Sequence, residues 1–272
     1  MGTTNVSSRL LRHLLPLFSV RPRGRRNRRG GLGDGRGHAL GEEVDYWEQW
    51  LADRGGKYAD EFAQRFDPAA EVTDLTLRAV LSELRRQGRA EPSILDVGAG
   101  PASTVGHRLE GGPVSLVAVD PLANDYRRVL DEHGLKPPVP TERLEGEQLV
   151  ERFGSGRFDV AYARNAIDHS VHPIVIIENM LAVVRPGGYV VLRHVRNEAV
   201  RQDWAQLHQW NFDVRESELV IWGADTEIRL AEHLPGATAS CHVEPSDEPG
   251  VTWVVAVIRK ARSDSWNSGL AN

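Results

Sequence analysis

The chain has 272 residues, of which 40% are hydrophobic and 26% are charged, values typical of one globular catalytic domain with short extensions. No apolar run approaches the ~20 residues that a membrane-spanning helix requires, so the sequence predicts no transmembrane segment. Cys241 is the only cysteine, which excludes an internal disulfide and a cysteine-cluster metal site and predicts a reducing, cytoplasmic compartment.

The charge is distributed unevenly along the chain. Residues 1–36 hold nine arginines and one acid, Asp34, so this tail carries +8 while the remainder carries −13. An acidic body argues against a nucleic acid as partner of the folded domain. An arginine-rich stretch at residues 21–29 precedes a glycine-rich run at 30–37, and we expect residues 1–40 to form a disordered leader with a flexible linker. A membrane-surface or nucleic-acid-binding arm is the alternative interpretation.

Two helical segments are predicted before the first strand. Residues 42–66 carry aromatic side chains among acids and bases, and residues 72–87 show an apolar stripe at helical spacing. The domain boundaries that we expect are residues 41–70 for a helical lid, 71–262 for the main domain with an insertion at about 196–232, and 263–272 for a flexible C-terminus.

Beyond residue 90, short apolar runs alternate with helical patterns, which is typical of a parallel sheet with crossover helices. The strands that the pattern predicts are residues 94–97, 114–119, 139–143, 158–162, 189–192 and 251–259. Pro173 opens a helical pattern that breaks at Pro186-Gly187-Gly188, directly before one of these strands.

The most informative segment is Ile94-Leu95-Asp96-Val97-Gly98-Ala99-Gly100-Pro101, in which an apolar strand runs into a glycine turn. Such glycines let the backbone approach a ligand at the carboxyl end of a strand, where open α/β sheets bind ligands. Ser103 stands where the dinucleotide fingerprint has its third glycine, which disfavours a nicotinamide cofactor. The next strand ends in Asp120, which is placed either to accept hydrogen bonds from a ribose or to cap a helix.

With these motifs in this order, residues 72–260 resemble the class I S-adenosylmethionine-dependent methyltransferases. The resemblance implies an α/β, Rossmann-like fold with a mostly parallel seven-stranded sheet, helices on both faces and an N-terminal helical lid. The cofactor contacts that it implies are Asp96, Gly98 and Gly100 for the methionine and ribose, Asp120 for the ribose, and Glu147 and Gln148 near the adenine.

Polar residues follow the strand predicted at 158–162. Asn165, Asp168 and His169 lie within five residues at the expected reactive edge. Asp168 and His169 either act on an acceptor or serve the structure, with the acid capping the next helix and orienting the histidine.

His208 lies far along the chain among aromatic residues. Together with the earlier segment it is similar to the plant-type small-RNA 2′-O-methyltransferases, in which two acids and a histidine after strand four join a distant histidine to hold a divalent metal. The ubiquinone-pathway O-methyltransferases are a looser likeness. The resemblance implies Asn165, Asp168, His169 and His208 as metal ligands, with Asn165 also at the cofactor's edge. Two departures are that Asn165 replaces an acid and that Asp168 is shorter than the expected Glu.

The expected chemistry is activation of a hydroxyl. A sugar hydroxyl is mostly protonated at neutral pH, and a divalent ion bound to its oxygen would lower its pKa while a nearby histidine takes the proton. We therefore expect Asp168, His169 and His208 to be catalytic, with magnesium or manganese as the ion. A histidine that acts as a metal-free general base is the competing account.

Three acceptor classes remain open. An RNA 3′ end suits the likeness but not the acidic body, a phenol or quinone precursor needs no chelation, and a sugar offers vicinal hydroxyls to a metal. Trp204, Trp210 and Trp222 either stack on a sugar face or pack in the core. We favour the sugar, because residues 165–212 resemble mycobacterial sugar O-methyltransferases that act on methylated mannose polysaccharides. That likeness implies a short mannoside methylated at its reducing-end hydroxyl.

The sequence leaves the roles of two further residues open. His194 either reaches the site or ends a strand at the surface, and Arg164 either contacts the acceptor or forms a salt bridge. A cofactor-binding regulator that works through its arginine-rich arm is the alternative to an enzyme. A homodimer is compatible with the sequence.

Overall fold

The computed structural model describes residues 32–262, with side chains described from residue 37 onward. The arginine-rich stretch and the expected flexible C-terminus lie outside these residues, so both expectations stay predictions. The N-terminal helices are α1 (Leu32–Ala52), α2 (Ala59–Phe66) and α3 (Leu75–Arg86). Within residues 32–262, no helix is long and apolar enough to cross a membrane.

The N-terminal helices differ from the sequence-based expectation in two ways. The glycine-rich run expected as a linker is helical from Leu32, because buried Ala39 and Val44 anchor α1 and outweigh the cost of about 1 kcal/mol per helical glycine. The single helix expected over residues 42–66 is divided, because the chain reverses at Gly55, which has φ +83°, and enters a short 3₁₀ turn before α2.

The strands of the described residues are β1 (Ser93–Val97), β2 (Arg108–Leu109), β3 (Gly112–Pro113), β4 (Ser115–Asp120), β5 (Thr141–Arg143), β6 (Phe158–Arg164), β7 (Val184–Val195), β8 (Asn211–Arg215), β9 (Glu218–Trp222), β10 (Glu227–Arg229), β11 (Ala237–Pro245) and β12 (Thr252–Lys260). Seven of them form the main sheet in the order β11-β12-β7-β6-β1-β4-β5. The last five strands of this order pair in parallel, whereas β12 and β11 join antiparallel. The expected mostly parallel seven-stranded sheet is confirmed.

Helices cover both faces of this sheet. The remaining helices are α4 (Ala123–Glu132), α5 (Leu149–Phe153), α6 (Pro173–Val183), α7 (Glu198–Arg201) and α8 (Leu230–His233). Helix α3 packs with Ile94 on one face, and α5 and α6 pack with Leu95 on the other. Because neighbouring residues of a strand point to opposite faces, the continuous apolar run of β1 is buried on both sides.

An insertion between β7 and β11 carries a second, three-stranded sheet of β8, β9 and β10. Its first strand begins beside the end of β7, where Arg196 bridges to Phe212. Phe212 is buried in the main core, so the insertion is packed against the domain. The loop that leads into β8 is thereby held beside the segment that follows β6, where the backbone N–H of Gln209 donates to the carbonyl of Asp168 at 3.1 Å.

Candidate active site

The glycine turn after β1 has a geometry that only glycine permits. Gly98 and Gly100 have φ values of +74° and +67°. A Cβ on Gly98 would lie 2.3 Å from the Cβ of Ala166, in the segment that follows β6. The turn therefore touches the segment that carries the polar residues after β6, and no larger residue fits there.

Two buried carboxyl groups flank this turn. Asp96 accepts a hydrogen bond from Ser103 Oγ at 2.5 Å, and Asp120 accepts one from the backbone N–H of Gly100 at 3.0 Å. Burial raises the pKa of Asp96 to about 6 and that of Asp120 to about 7. Both carboxyl groups therefore lack water, and a ligand that brings positive charge or hydroxyl donors would stabilise their ionised forms.

Glu147 and Gln148 lie further along the same edge, in a 3₁₀ turn that follows β5. Glu147 is half-buried and Gln148 is exposed. The preceding segment is tied to the turn of Asp120, because Leu144 N–H donates to the carbonyl oxygen of Asp120 at 3.2 Å. The contact of Glu147 and Gln148 with an adenine stays a prediction.

Helices α1 and α2 both contact the glycine turn, through Trp47 and Arg65. A Cβ on Gly100 would lie 3.1 Å from the Trp47 ring, whose Nε1–H donates to Glu43 at 2.9 Å. Arg65 of α2 is buried, lies 5.1 Å from the same ring and donates to the carbonyl of Ala102 in the glycine turn. Sequence reasoning missed Arg65, because an arginine in an amphipathic helix gives no signal of the distant carbonyl that it meets.

Asp168, His169 and His208 come together in a compact cluster. Asp168 Oδ2 lies 2.9 Å from His208 Nδ1 and 3.4 Å from His169 Nε2, and the two ring nitrogens are 3.1 Å apart. One atom from each side chain thus points to a common place, as the donor atoms of a metal site do. The expected meeting of His208 with His169 is confirmed, whereas the roles of the three residues stay predictions.

The loops around the cluster hold His208 in place. Its neighbour Trp210 donates from Nε1 to the carbonyl of Ser170 at 3.0 Å, next to the turn that carries Asp168 and His169. The cluster is largely enclosed, with Asp168 at 1% exposure and His208 at 5%. His169 is the most exposed of the three side chains, at 20%.

Left-handed backbone conformations recur in the part of the chain that runs from the segment after β6 to His208. The non-glycine residues with positive φ in residues 165–208 are Asn165, Asn197, Asp203, Trp204 and Gln206, at +47° to +57°. Such conformations cost of order 1 kcal/mol or more each and persist where the surrounding structure imposes them. The loop before His208 is thus held in a geometry that its sequence does not favour.

Asn165 does not have the place expected of a ligand. Its amide oxygen accepts a hydrogen bond from the backbone N–H of Val195 at 3.1 Å, between the ends of β6 and β7. The cluster therefore comprises three of the four predicted ligands, and the side chain of Asn165 fixes the turn that precedes them.

Asp168 and His208 shift each other's pKa values. Burial acts to raise the pKa of Asp168, but neighbouring His169, with His194 and His208, outweighs it and holds the pKa well below its usual range. Burial acts to lower the pKa of His208, but the hydrogen bond and charge of Asp168 raise it above the usual value. Asp168 is thus an ionised acceptor at neutral pH.

His194 is not at the surface. It is 1% exposed, and its Nδ1 lies 3.7 Å from Asp168 Oδ1, too far for a hydrogen bond. Phe212 stacks on its ring with centroids 3.9 Å apart and an angle of 11°. Among the described residues, neither ring nitrogen of His194 nor Asp168 Oδ1 has a hydrogen-bond partner.

The other candidates have structural contacts. Trp210 packs against the core, Trp222 donates to Asn197 at 3.1 Å, and Trp204 is half-buried with its ring edge on Trp222. Arg164 pairs with Glu61 of α2 at 3.5 Å, so the salt bridge foreseen as its alternative is present.

The chain has clear relatives among known proteins. A family model described as a methyltransferase domain matches residues 63–228, more than half of the chain. The ubiquinone biosynthesis O-methyltransferase of Paraburkholderia xenovorans (strain LB400) is 24% identical over 237 residues, 78% of this chain and 96% of that protein. An uncharacterized methyltransferase of Mycobacterium marinum (strain ATCC BAA-535 / M) is 30% identical over 128 residues, 47% of each chain.

One solved structure is a Burkholderia thailandensis 1,6-didemethyltoxoflavin-N1-methyltransferase with bound 1,6-didemethyltoxoflavin and S-adenosylhomocysteine. It is 18% identical, with a TM-score of 0.47, and the match covers 86% of this chain and 93% of that one.

Proposed function

Given that the chain belongs to the methyltransferase-domain family and is a class I S-adenosylmethionine-dependent methyltransferase, we propose that it methylates a hydroxyl of a small sugar, with a divalent ion at its histidine cluster. The observation that carries the proposal is the convergence of Asp168, His169 and His208 beside a glycine turn that has room only for glycine.

The residues of the turn fit the cofactor. Asp96 is a buried carboxyl group near the turn whose charge an ammonium group would offset, and Asp120 retains lone pairs that ribose hydroxyls can reach. S-adenosylmethionine supplies an electrophilic methyl group on a sulfonium. The residues that would hold the cofactor lie at the glycine turn, where Gly98 is packed against Ala166, two residues before Asp168, and Gly100 against Trp47.

The cluster fits a divalent ion in its donor atoms and spacing. Imidazole nitrogens and a carboxylate oxygen are ligands that divalent metals accept, and the three atoms lie 2.9 to 3.4 Å apart, close enough to contact one ion. Asp168 Oδ2, His169 Nε2 and His208 Nδ1 would hold the ion. The ion would lower the pKa of a hydroxyl group bound to it. Asn165 is left out of this set because Val195 already binds its amide oxygen.

A sugar acceptor is supported by the surroundings of His208. Half-buried Trp204 lies on the loop that leads to this residue, and an indole ring can stack on the apolar face of a sugar. Vicinal hydroxyls can also chelate one ion, which fixes the attacking oxygen. A short mannoside methylated at its reducing-end hydroxyl is the acceptor that we propose.

A metal-free methyltransferase of phenols is the second candidate. It is favoured by the hydrogen bond of His208 Nδ1 with Asp168, which suits a histidine oriented by a carboxylate, and by relatives named ubiquinone biosynthesis O-methyltransferase. In this account a ring nitrogen of His169 or His208 accepts the hydroxyl proton as the oxygen attacks. The two accounts differ in whether methyl transfer requires a bound ion.

Methyl transfer by chelator-treated protein separates the candidates. We expect transfer to short mannosides that is lost in chelator and restored by manganese or magnesium. Catechol methylation that is insensitive to chelator would favour the second candidate. Tight cofactor binding without transfer to any sugar, phenol or RNA 3′ end would contradict both and favour a regulatory protein.

A further inference from the structure

Next to Asp168 lies a buried histidine, His194, that the proposed reaction does not use. His194 sits on β7, and its ring is fixed between the strand and the stacked ring of Phe212. A buried imidazole without hydrogen bonds is costly, since each unsatisfied polar group costs ~1–3 kcal/mol. His194 therefore needs a hydrogen-bond partner close to one of its ring nitrogens.

An unpaired acceptor close to His194 is the second carboxylate oxygen of Asp168. Oδ1 is buried, has no hydrogen bond among the described residues, and lies 3.7 Å from His194 Nδ1. Oδ2 of the same carboxylate lies 2.9 Å from His208 Nδ1, within hydrogen-bond distance. A shift of well under 1 Å would bring Oδ1 into hydrogen-bond distance of Nδ1 and satisfy both atoms.

We propose that His194 is a positioning residue that donates its Nδ1–H to Asp168 Oδ1 and thereby keeps Oδ2 directed at His169 and His208. The stack with Phe212 prevents the imidazole from turning its Nδ1 away. Groups of this kind, one step removed from the reacting atoms, commonly change metal affinity or activity by 10–100-fold when they are replaced. The inference rests on the proposed role of Asp168 in methyl transfer.

Three substitutions separate positioning from packing. His194→Asn places an N–H near the position of Nδ1 but loses the ring, His194→Phe keeps a ring against Phe212 but loses the donor, and His194→Gln places its N–H near Nε2 instead. We expect kcat within about fivefold of wild type for Asn and a loss of roughly 10–100-fold for Phe and Gln. The KM for the cofactor should change little in all three.

A purely structural His194 predicts the reverse order, with Phe at least as active as Asn, and that result would overturn the proposal. Thermal unfolding of each variant with bound cofactor identifies any variant that fails to fold.

The tautomer of His194 provides a test that needs no acceptor. Long-range ¹H–¹⁵N NMR of the full chain with S-adenosylhomocysteine should show the proton on Nδ1, and a proton only on Nε2 would contradict the proposal. If the Nδ1 tautomer is found but no hydroxyl is methylated, the proposed function fails while the positioning contact stands.

Discussion

The two halves of the sheet's carboxyl edge are built differently. The cofactor half comes from one stretch, residues 96–120, in which both carboxyl groups accept hydrogen bonds and the glycine turn is closely packed. The cluster half joins Asp168 to His208, 40 residues away, through loops in left-handed conformations, and it leaves buried polar atoms unpaired. We infer that the first half is a preformed binding surface, whereas the strained loops and unpaired polar atoms of the second half mark it as the reacting part of the site.

The largest expected effect is in the cluster half. His169→Ala and His208→Ala should each lower kcat by about 10²–10⁴-fold, because each removes a nitrogen that either holds the ion or takes the proton. The dissociation constant of S-adenosylmethionine, measured by calorimetry, should stay within about twofold. The exposed neighbour His172 provides a matched control, since His172→Ala should retain activity. Full activity of His208→Ala would remove the cluster from the reaction.

In the cofactor half, a substitution that creates a steric clash should disrupt both stability and cofactor binding. In Gly98→Ala the new Cβ meets Ala166 at 2.3 Å and also strains a φ of +74°, so we expect more than about 2 kcal/mol of lost stability and severe loss of cofactor binding. Gly134→Ala, directly after the end of α4, is the matched control, because Gly134 has φ +62° but open space around its Cβ. It should cost only the backbone strain, about 1–2 kcal/mol. Equal denaturant midpoints for the two variants would disprove the close approach.

Cofactor affinity should depend on pH through the buried carboxyl groups. Their raised pKa values, about 6 for Asp96 and about 7 for Asp120, mean that they are ionised at pH 8 and become protonated as the pH falls. Since the ligand needs the ionised forms, the dissociation constant should rise between pH 8 and pH 5, by up to about tenfold per pH unit for each protonated group. Asp125→Asn, at an acid in the first turn of α4, should leave the profile unchanged. A flat profile for wild type would contradict this linkage.

The smallest effect is expected where Arg65 of α2 contacts the glycine turn. Arg65→Lys should weaken cofactor binding by roughly three- to tenfold, since an ammonium group cannot keep both the carbonyl of Ala102 and the paired Glu61 in the same geometry. Arg128→Lys, in an exposed pair with Glu132, is the control and should change nothing measurable. Unchanged affinity in Arg65→Lys would show that the lid contact does not support the turn.

Sequence alone predicted most of the fold and the glycine turn after β1, because the signals there are local, whereas the cofactor contacts stay predictions. The alternation of apolar strands and helices predicts the parallel sheet, and Asp96, Gly98 and Gly100 lie within five residues. The meeting of His208 with His169 was foreseen only through resemblance to other enzymes, since spacing along the chain carries no information about a contact between distant loops.

Other features depend on tertiary packing and were missed or misassigned. The burial of His194 is set by Phe212 of the insertion, and the amide of Asn165 is bound by Val195 rather than directed at an ion. The helix from Leu32 contradicts local glycine preferences because side chains further along α1 are buried. Such outcomes depend on neighbours that lie far away in sequence.

Anomalous diffraction from crystals grown with S-adenosylhomocysteine and manganese tests the central claim most directly. The account predicts one manganese peak within about 2.5 Å of Asp168 Oδ2, His169 Nε2 and His208 Nδ1, next to the occupied cofactor turn. A fully occupied cofactor with no peak at these three atoms would contradict it.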